Sequence, residues 1–271
     1  MKQRYSLFAG LLFASSLFGQ EATVAEAPFS TKFELSQGYR NDTLKIKTVG
    51  DSKAHFKNID VYTSRFSATV MKNDFFLKAV AGYGHVYDGK YHETIHSYGH
   101  SHSEHHHIHN DYTADFIVEF GKNFAIKDCC TLTPKVGYSA FIQKFDAKEH
   151  GNNERFTEVW YSPFIGLNVS KEIAKNLSAF ISYDFLFPMN CHTKYREHGD
   201  INFSTDNKPY KSFGNIATVG LEWNFAENWS LKPEFEFMKF LSKNGGHNDF
   251  SVIKKTTRTA YEARLTLGYS F

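Results

Sequence analysis

The sequence predicts an all-β protein, an antiparallel transmembrane β-barrel of about ten strands with short periplasmic turns and long external loops. Three observations predict it. Apolar residues recur at every second position in segment after segment, the period of a strand with two unlike faces. No stretch approaches the roughly 18 consecutive apolar residues of a membrane-spanning helix. The mean hydropathy is -0.44, yet 17% of residues are aromatic, with 27 Phe and 15 Tyr. A barrel reconciles these values, because each strand shows lipid only every second residue and carries aromatic girdles at both interfaces.

The first element is a targeting segment. Lys2 and Arg4 form a positive start, and Leu7 to Leu17 form a short apolar run. Residues 1–19 read as a signal peptide, with cleavage after Gly19 or as late as Ala25. A signal anchor needs a run nearer 20 residues. No Cys lies near the run, so a lipoprotein signal has no support. Residues 28–271 are the barrel domain, destined for the bacterial outer membrane.

The strands follow in order. Phe33, Leu35, Gln37 and Tyr39 make a weak first face, and Tyr62 to Val70 and Phe75 to Tyr83 give the second and third strands. Tyr112 to Phe120 and Leu132 to Ile142 alternate more cleanly. Val159, Tyr161, Pro163, Ile165, Leu167 and Val169 form one face, and Leu177, Ala179, Ile181, Tyr183, Phe185 and Phe187 the next. Ala217 to Phe225 and Leu231 to Phe237 give the eighth and ninth strands. The tenth is the clearest, with Tyr261, Ala263, Leu265, Leu267, Tyr269 and Phe271 in strict alternation. A soluble sandwich could end on such a strand, but a terminal aromatic resembles the signal read by the barrel-assembly machinery, so Phe271 is the expected contact with that partner.

Short polar connections at Lys72-Asn73-Asp74, Lys122-Asn123, Ala174-Lys175-Asn176 and Ala226-Glu227-Asn228 alternate with long ones at about 40–57, 85–111, 145–156, 188–213 and 242–257. Short turns belong to the periplasm and long loops to the outside. Parity then assigns Arg65, Lys78, Glu119, Lys135, Glu158, Asp184, Glu222, Glu234, Glu236, Glu262 and Arg264 to the lumen. Barrels only slightly larger than eight strands are filled by side chains, so paired charges rather than an open channel are expected; a narrow pore is the alternative.

A formal net charge of +2 gives no basis for nucleic-acid binding. The expected partners are outer-membrane lipid and lipopolysaccharide around the wall, and host-surface or envelope proteins at the loops.

Segments of the chain resemble a known family. Gly38-Tyr39-Arg40-Asn41-Asp42, Phe56 to Tyr62, Tyr83 to Lys90, Trp160 to Leu167 and Lys175-Asn176-Leu177 are similar to the Protochlamydia-type outer-membrane proteins. That resemblance implies an omptin-like ten-stranded barrel. Omptins are outer-membrane proteases that set a pair of Asp against an Asp–His pair across the outer mouth. Asp88, Asp111, Asp115, His85, His192 and His198 are the rim groups here, and their spacing does not map onto that tetrad. The expectation is therefore a non-enzymatic surface protein, structural or adhesive, with an omptin-like protease as the alternative.

Nine of the 14 His lie between His85 and His109. Imidazole is a favoured ligand of Zn and Ni. His100, His102, His105, His106, His107 and His109 are the candidate metal ligands of an external loop, with Glu104 and Asp111 as further donors, although no closed zinc-site spacing is present. No cofactor is required by anything in the sequence. A plain solvated loop, or a loop gaining charge as pH falls toward 5, are the competing readings. Of the three Cys, Cys129 and Cys130 adjoin at a periplasmic turn and Cys191 lies in the fourth external connection, too far away for a bridge that needs Cα atoms within about 7 Å. A vicinal bridge and a cross-link to another envelope protein both remain open.

Overall fold

The computed structural model describes residues 29–48, 53–97, 100–108, 111–127, 129–149, 152–197, 201–207, 209–243 and 253–271. The expected signal peptide lies outside them. Fourteen strand segments form one antiparallel sheet: β1 (Ser30–Thr48), β2 (Lys53–Lys72), β3 (Phe75–Ser97), β4 (His100–His107), β5 (Asp111–Lys122), β6 (Phe124–Ile126), β7 (Cys130–Glu149), β8 (Asn152–Ala174), β9 (Leu177–Leu186), β10 (Asn190–Glu197), β11 (Ile201–Asp206), β12 (Phe213–Ala226), β13 (Trp229–Lys243) and β14 (Ile253–Ser270).

These segments make ten barrel strands. β4 and β5 follow one another along β3, whose residues 90–97 pair β4 and 75–86 pair β5. β9 and β10 likewise follow one another along β8. β11 pairs β10, and β12 pairs β9. β1 pairs β14 from Lys32↔Ser270 to Thr48↔Ile253, which closes the cylinder. Closure leaves no sheet edge in lipid, where unpaired backbone groups would cost several kcal/mol each.

The periplasmic turns form where the sequence supplies residues tolerant of positive φ. Asn73 and Asp74 have φ of 50° and 69°, and Asn176 has φ of 63°. The turn expected at Lys122-Asn123 is longer, because β6 folds back on β7 through Phe124↔Leu132.

The long connections are mostly not loops. β2 runs for 20 residues and β8 for 23. A 20-residue strand spans roughly 65 Å along its path, while the apolar band of such barrels is about 25 Å tall. The strands therefore continue well outside the membrane.

What permits this is an exchange of faces. Along β1 the outward residues run Phe33, Leu35, Tyr39, then Lys45 and Lys47, all exposed. The inward residues run Glu34, Ser36, Arg40, Asp42, then Leu44 and Ile46, all buried. Below the exchange the barrel is apolar outside and polar inside; above it the arrangement reverses, as water on the outside demands. The upper part carries its own apolar core. One cluster joins Leu44, Ile46, Phe56, Ile59, Val61, Val86, Tyr91, Ile108, Phe145 and Phe156. A second joins Phe141, Trp160, Phe164, Leu186, Met189, Cys191, Met238, Phe240 and Ala260.

Candidate functional site

The membrane segment is bounded by aromatic side chains on the outer wall. Tyr39, Tyr62, Tyr83, Tyr112, Tyr138, Tyr161, Tyr183 and Tyr261 are exposed and form the upper ring, and Tyr87 stacks on Tyr62 with centroids 4.7 Å apart. Phe33, Phe75, Phe120, Phe124, Trp223, Phe225, Trp229 and Phe271 mark the periplasmic side. Amphipathic tyrosines suit a headgroup layer. Phe271 packs edge-on against Phe33 and Tyr269, and its N–H donates to the Thr31 carbonyl at 2.8 Å. The last residue thus sits on the seam between the first and last strands.

Inside this segment lies a polar chamber of about 400 Å³. The charges expected in the lumen line this chamber, except Glu262 and Glu158, which are buried beyond it, and the lining charges pair across strands distant in sequence. Arg65 is held by Asp115 at 3.2 Å, Glu236 at 3.4 Å and Glu262 at 3.0 Å. Lys135 sits between Glu119 at 3.1 Å and Asp184 at 3.0 Å. Glu34 gathers Lys32, Lys78 and Lys232, and Glu222 also pairs with Lys32. Arg264 bonds Glu234 at 3.0 Å and Glu236 at 2.9 Å. This network satisfies charges that an unpaired burial would penalise heavily.

Above the chamber the lumen is blocked. Phe164 lies against Gly137, where an added Cβ would stand 2.5 Å from the ring and 2.3 Å from the Val118 carbonyl oxygen, so the close approach needs glycine. Phe141, Trp160 and Phe240 fill the next level, with Trp160 and Phe240 centroids 5.7 Å apart. On Phe141 rest two guanidinium groups, Arg258 at 3.8 Å from the ring centroid and Arg40 at 5.3 Å. Asp42 joins them, bonding Arg40 Nε at 3.1 Å and Arg258 Nη2 at 3.0 Å. All three are fully buried. Arg40 Nη2 also donates to Thr113 Oγ1 at 2.7 Å.

A second buried polar pair stands beside them. Glu158 and Gln143 occupy directly opposed positions on β8 and β7, both wholly buried. Trp160 Nε1 donates to Glu158 Oε2 at 3.1 Å, while Glu158 Oε1 and both ends of the Gln143 amide have no hydrogen-bond partner among the described residues. Glu158 lies three residues outward of Tyr161, above the membrane segment. Burial pushes its carboxyl up to about 8, only partly opposed by Trp160, Arg258 and Thr193. It is mostly neutral at pH 7 and carries a proton it can donate.

The described rim residues are not drawn together. Asp115 points into the chamber onto Arg65. Asp111 is buried within the outer core. His85 is exposed between the exposed Tyr83 and Tyr87 on the outer wall, and His192 alternates with the buried Cys191 and Thr193, so it also faces outward. Asp88 stands 3.9 Å from His107 Nδ1 on the outside of the hairpin. His198 lies outside the described residues.

The histidine tract also departs from its expected form. It is a strand, β4, hydrogen-bonded to β3 with His92↔His105 and Lys90↔His107 in register. The strand holds five of the six candidate ligands, at positions 100, 102, 105, 106 and 107. His109 lies outside the described residues, and of the six only His107 has a described side chain, an exposed one. Among the described residues no group of three or more His, Cys, Asp or Glu could hold a metal ion.

No disulfide joins the three cysteines: Cys129 is exposed, Cys130 half-buried and Cys191 buried. Cys191 belongs to β10 and the second apolar cluster rather than to a loop.

The family model for the Protochlamydia outer membrane protein matches residues 34–266. The chain belongs to that family. A search of curated sequences finds no match. Among solved structures, the chain is similar to the outer membrane protease OmpT from Escherichia coli, with a TM-score of 0.67 at 11% identity over 93% of this chain and 99% of that one. Weaker likenesses include the translocator domain of autotransporter NalP from Neisseria meningitidis (TM-score 0.41, 9% identity, 97% of this chain and 94% of that one). Another is the attachment invasion locus protein Ail of Yersinia pestis (TM-score 0.35, 10% identity, 89% of this chain and 99% of that one). Family and fold agree on an outer-membrane β-barrel. At 11% identity the OmpT match speaks for the barrel alone.

Proposed function

We propose that this protein is a sealed, non-enzymatic outer-membrane barrel whose functional part is its rigid extracellular extension, an attachment surface. The observation that carries the reading is the exchange of faces above the tyrosine ring. A pore would keep a polar lumen to its mouth, whereas here Leu44, Phe56, Phe141, Trp160 and Phe240 fill the upper lumen. The omptin-like protease reading loses its support, because His85 and His192 face outward and Asp115 is engaged by Arg65. The test combines two measurements on the refolded barrel. Planar-bilayer recordings are expected to show no conductance of porin size, and incubation with Lys- and Arg-rich peptides no cleavage. Either a porin-sized current or specific cleavage defeats the reading.

A second reading, transition-metal binding at the β3–β4 hairpin, is supported by the register that brings position 92 opposite 105 and position 107 beside Lys90 and Asp88. Zinc and nickel titration should then give saturable binding that disappears in a variant lacking residues 92–109. Weak binding, or binding that survives the deletion, removes it.

A further inference from the structure

Above the tyrosine ring the outer wall of β13, β14, β1, β2 and β3 carries lysines placed directly opposite one another. Lys243 pairs in register with Lys255, Lys255 with Lys47, and Lys47 with Lys53, giving one transverse row across four strands. Beside it Lys45 is opposite His55 and His55 opposite His92, while Lys57 is opposite Lys90. Each alternates with a buried neighbour, Leu44 and Ile46 on β1, Phe56 on β2, Tyr91 on β3, Ser242 on β13 and Thr256 on β14, so the lysines face outward.

Like charges directly opposed across strands are destabilising. None of Lys45, Lys47, Lys53, Lys57, Lys90, Lys243 and Lys255 has an ion-pair partner among the described residues. Among the described residues the nearby outward carboxylates are otherwise engaged: Asp60 accepts from Tyr39 Oη at 2.6 Å and Asn41 Nδ2 at 2.7 Å, and Asp88 faces His107. The field is felt by His55, which burial, with Lys57, Lys45 and His92 beside it, pulls down to about 4. A chain of net charge +2 has thus concentrated on one wall cations that have no ion-pair partner among the described residues.

Height selects the occupant. Lys255, Lys47 and Lys53 lie six, eight and nine residues outward of Tyr261, Tyr39 and Tyr62. At about 3.3 Å per residue and a tilt near 40°, that places the row roughly 15–23 Å above the headgroup ring. Lipid phosphates lie at the ring, too low to neutralise it. Strands about 4.8 Å apart make the row ~14 Å long with a cation at each step. A matching ligand is linear and carries an anion on each repeating unit.

We propose that this wall binds a linear polyanionic polysaccharide presented by another surface. The proposal rests on the attachment reading and names its ligand class. The test uses the full barrel in phosphatidylcholine vesicles free of lipopolysaccharide, with dextran sulfate as the probe and uncharged dextran as the control. Saturable binding of dextran sulfate is expected, weakening steeply with added salt as counterions compete. The variant Lys47→Gln/Lys53→Gln/Lys243→Gln/Lys255→Gln should bind at least tenfold more weakly with a shallower salt dependence. A control, Lys144→Gln/Lys194→Gln/Lys239→Gln, removes three cations from outside the row and should bind like the wild type. The proposal is overturned if uncharged dextran binds equally, if the row and control variants lose affinity alike, or if lipopolysaccharide, added in a second set of vesicles, occupies the row and blocks the probe. Heat-modified gel migration checks that each variant folds. The conductance and peptide assays then show separately whether the sealed-barrel reading stands when the polysaccharide does not bind.

Discussion

Replacing Glu158 by Gln should flatten the pH dependence of this barrel's stability. In the folded protein Glu158 holds its proton to about pH 8, whereas an exposed glutamate releases it near 4.5. Between those values the unfolded chain ionises and the folded chain does not, so the unfolded state binds fewer protons and stability falls as pH rises. The contribution is complete below pH 4.5 and lost by pH 8. A gap of about 3.5 pH units, at ~1.4 kcal/mol each, gives roughly 5 kcal/mol across the whole window. Glutamine mimics the protonated acid in shape and, opposite Gln143, supplies an N–H where the acid has its O–H. Urea unfolding of both proteins in the same micelles at pH 5, 6, 7 and 8 is the assay. The variant should gain on the wild type by about 1.4 kcal/mol per pH unit over most of that range. A difference that stays flat within about 1 kcal/mol from pH 5 to 8 would refute the claim that Glu158 is buried as a neutral acid.

Three further expectations follow from the upper lumen. Asp42→Ala leaves Arg40 and Arg258 buried together without the carboxylate between them and should cost about 3–5 kcal/mol in urea unfolding; a loss under 1 kcal/mol would mean that water reaches the layer. Phe240→Ala removes a 2%-exposed ring packed on Trp160 and Phe141 and should also cost ~3–5 kcal/mol. Gly137→Val drives a side chain into Phe164 and should lower stability by roughly 1–3 kcal/mol, which Gly137→Val/Phe164→Ala partly restores; no recovery in the double variant would show that the Val118 carbonyl is the greater obstacle.

The membrane half of this barrel was legible because its pattern is redundant. Tyr261 to Phe271 alternates so strictly that period alone assigns Glu262 and Arg264 to the lumen, where both lie. Which charge meets which was not legible, since Arg65 meets Glu236 and Glu262 only through closure of the cylinder. The outer half was misread as loops for a physical reason. At Arg40 to Leu44 the alternation continues but its polarity inverts, and at Asn58 a positive φ of 50° breaks the phase. The histidine tract has almost no apolar residues to betray a strand; its partner β3 makes it one. Leu44, Ile46, Lys45 and Lys47 held the missing signal, an interleaving of buried aliphatics with outward lysines that needs water, not lipid, on its outer side.

Strands that run unbroken from periplasm to hairpin tip also decide how the molecule bears force. A pull on the tips of β1–β2 or β7–β8 acts nearly along the strand axes, so it loads the lateral hydrogen bonds in shear, many at once. Peeling would instead open them singly. The membrane-embedded cylinder and the outer extension then act as one stiff post, and tension applied outside the cell is delivered to the bilayer anchor without passing through a hinge.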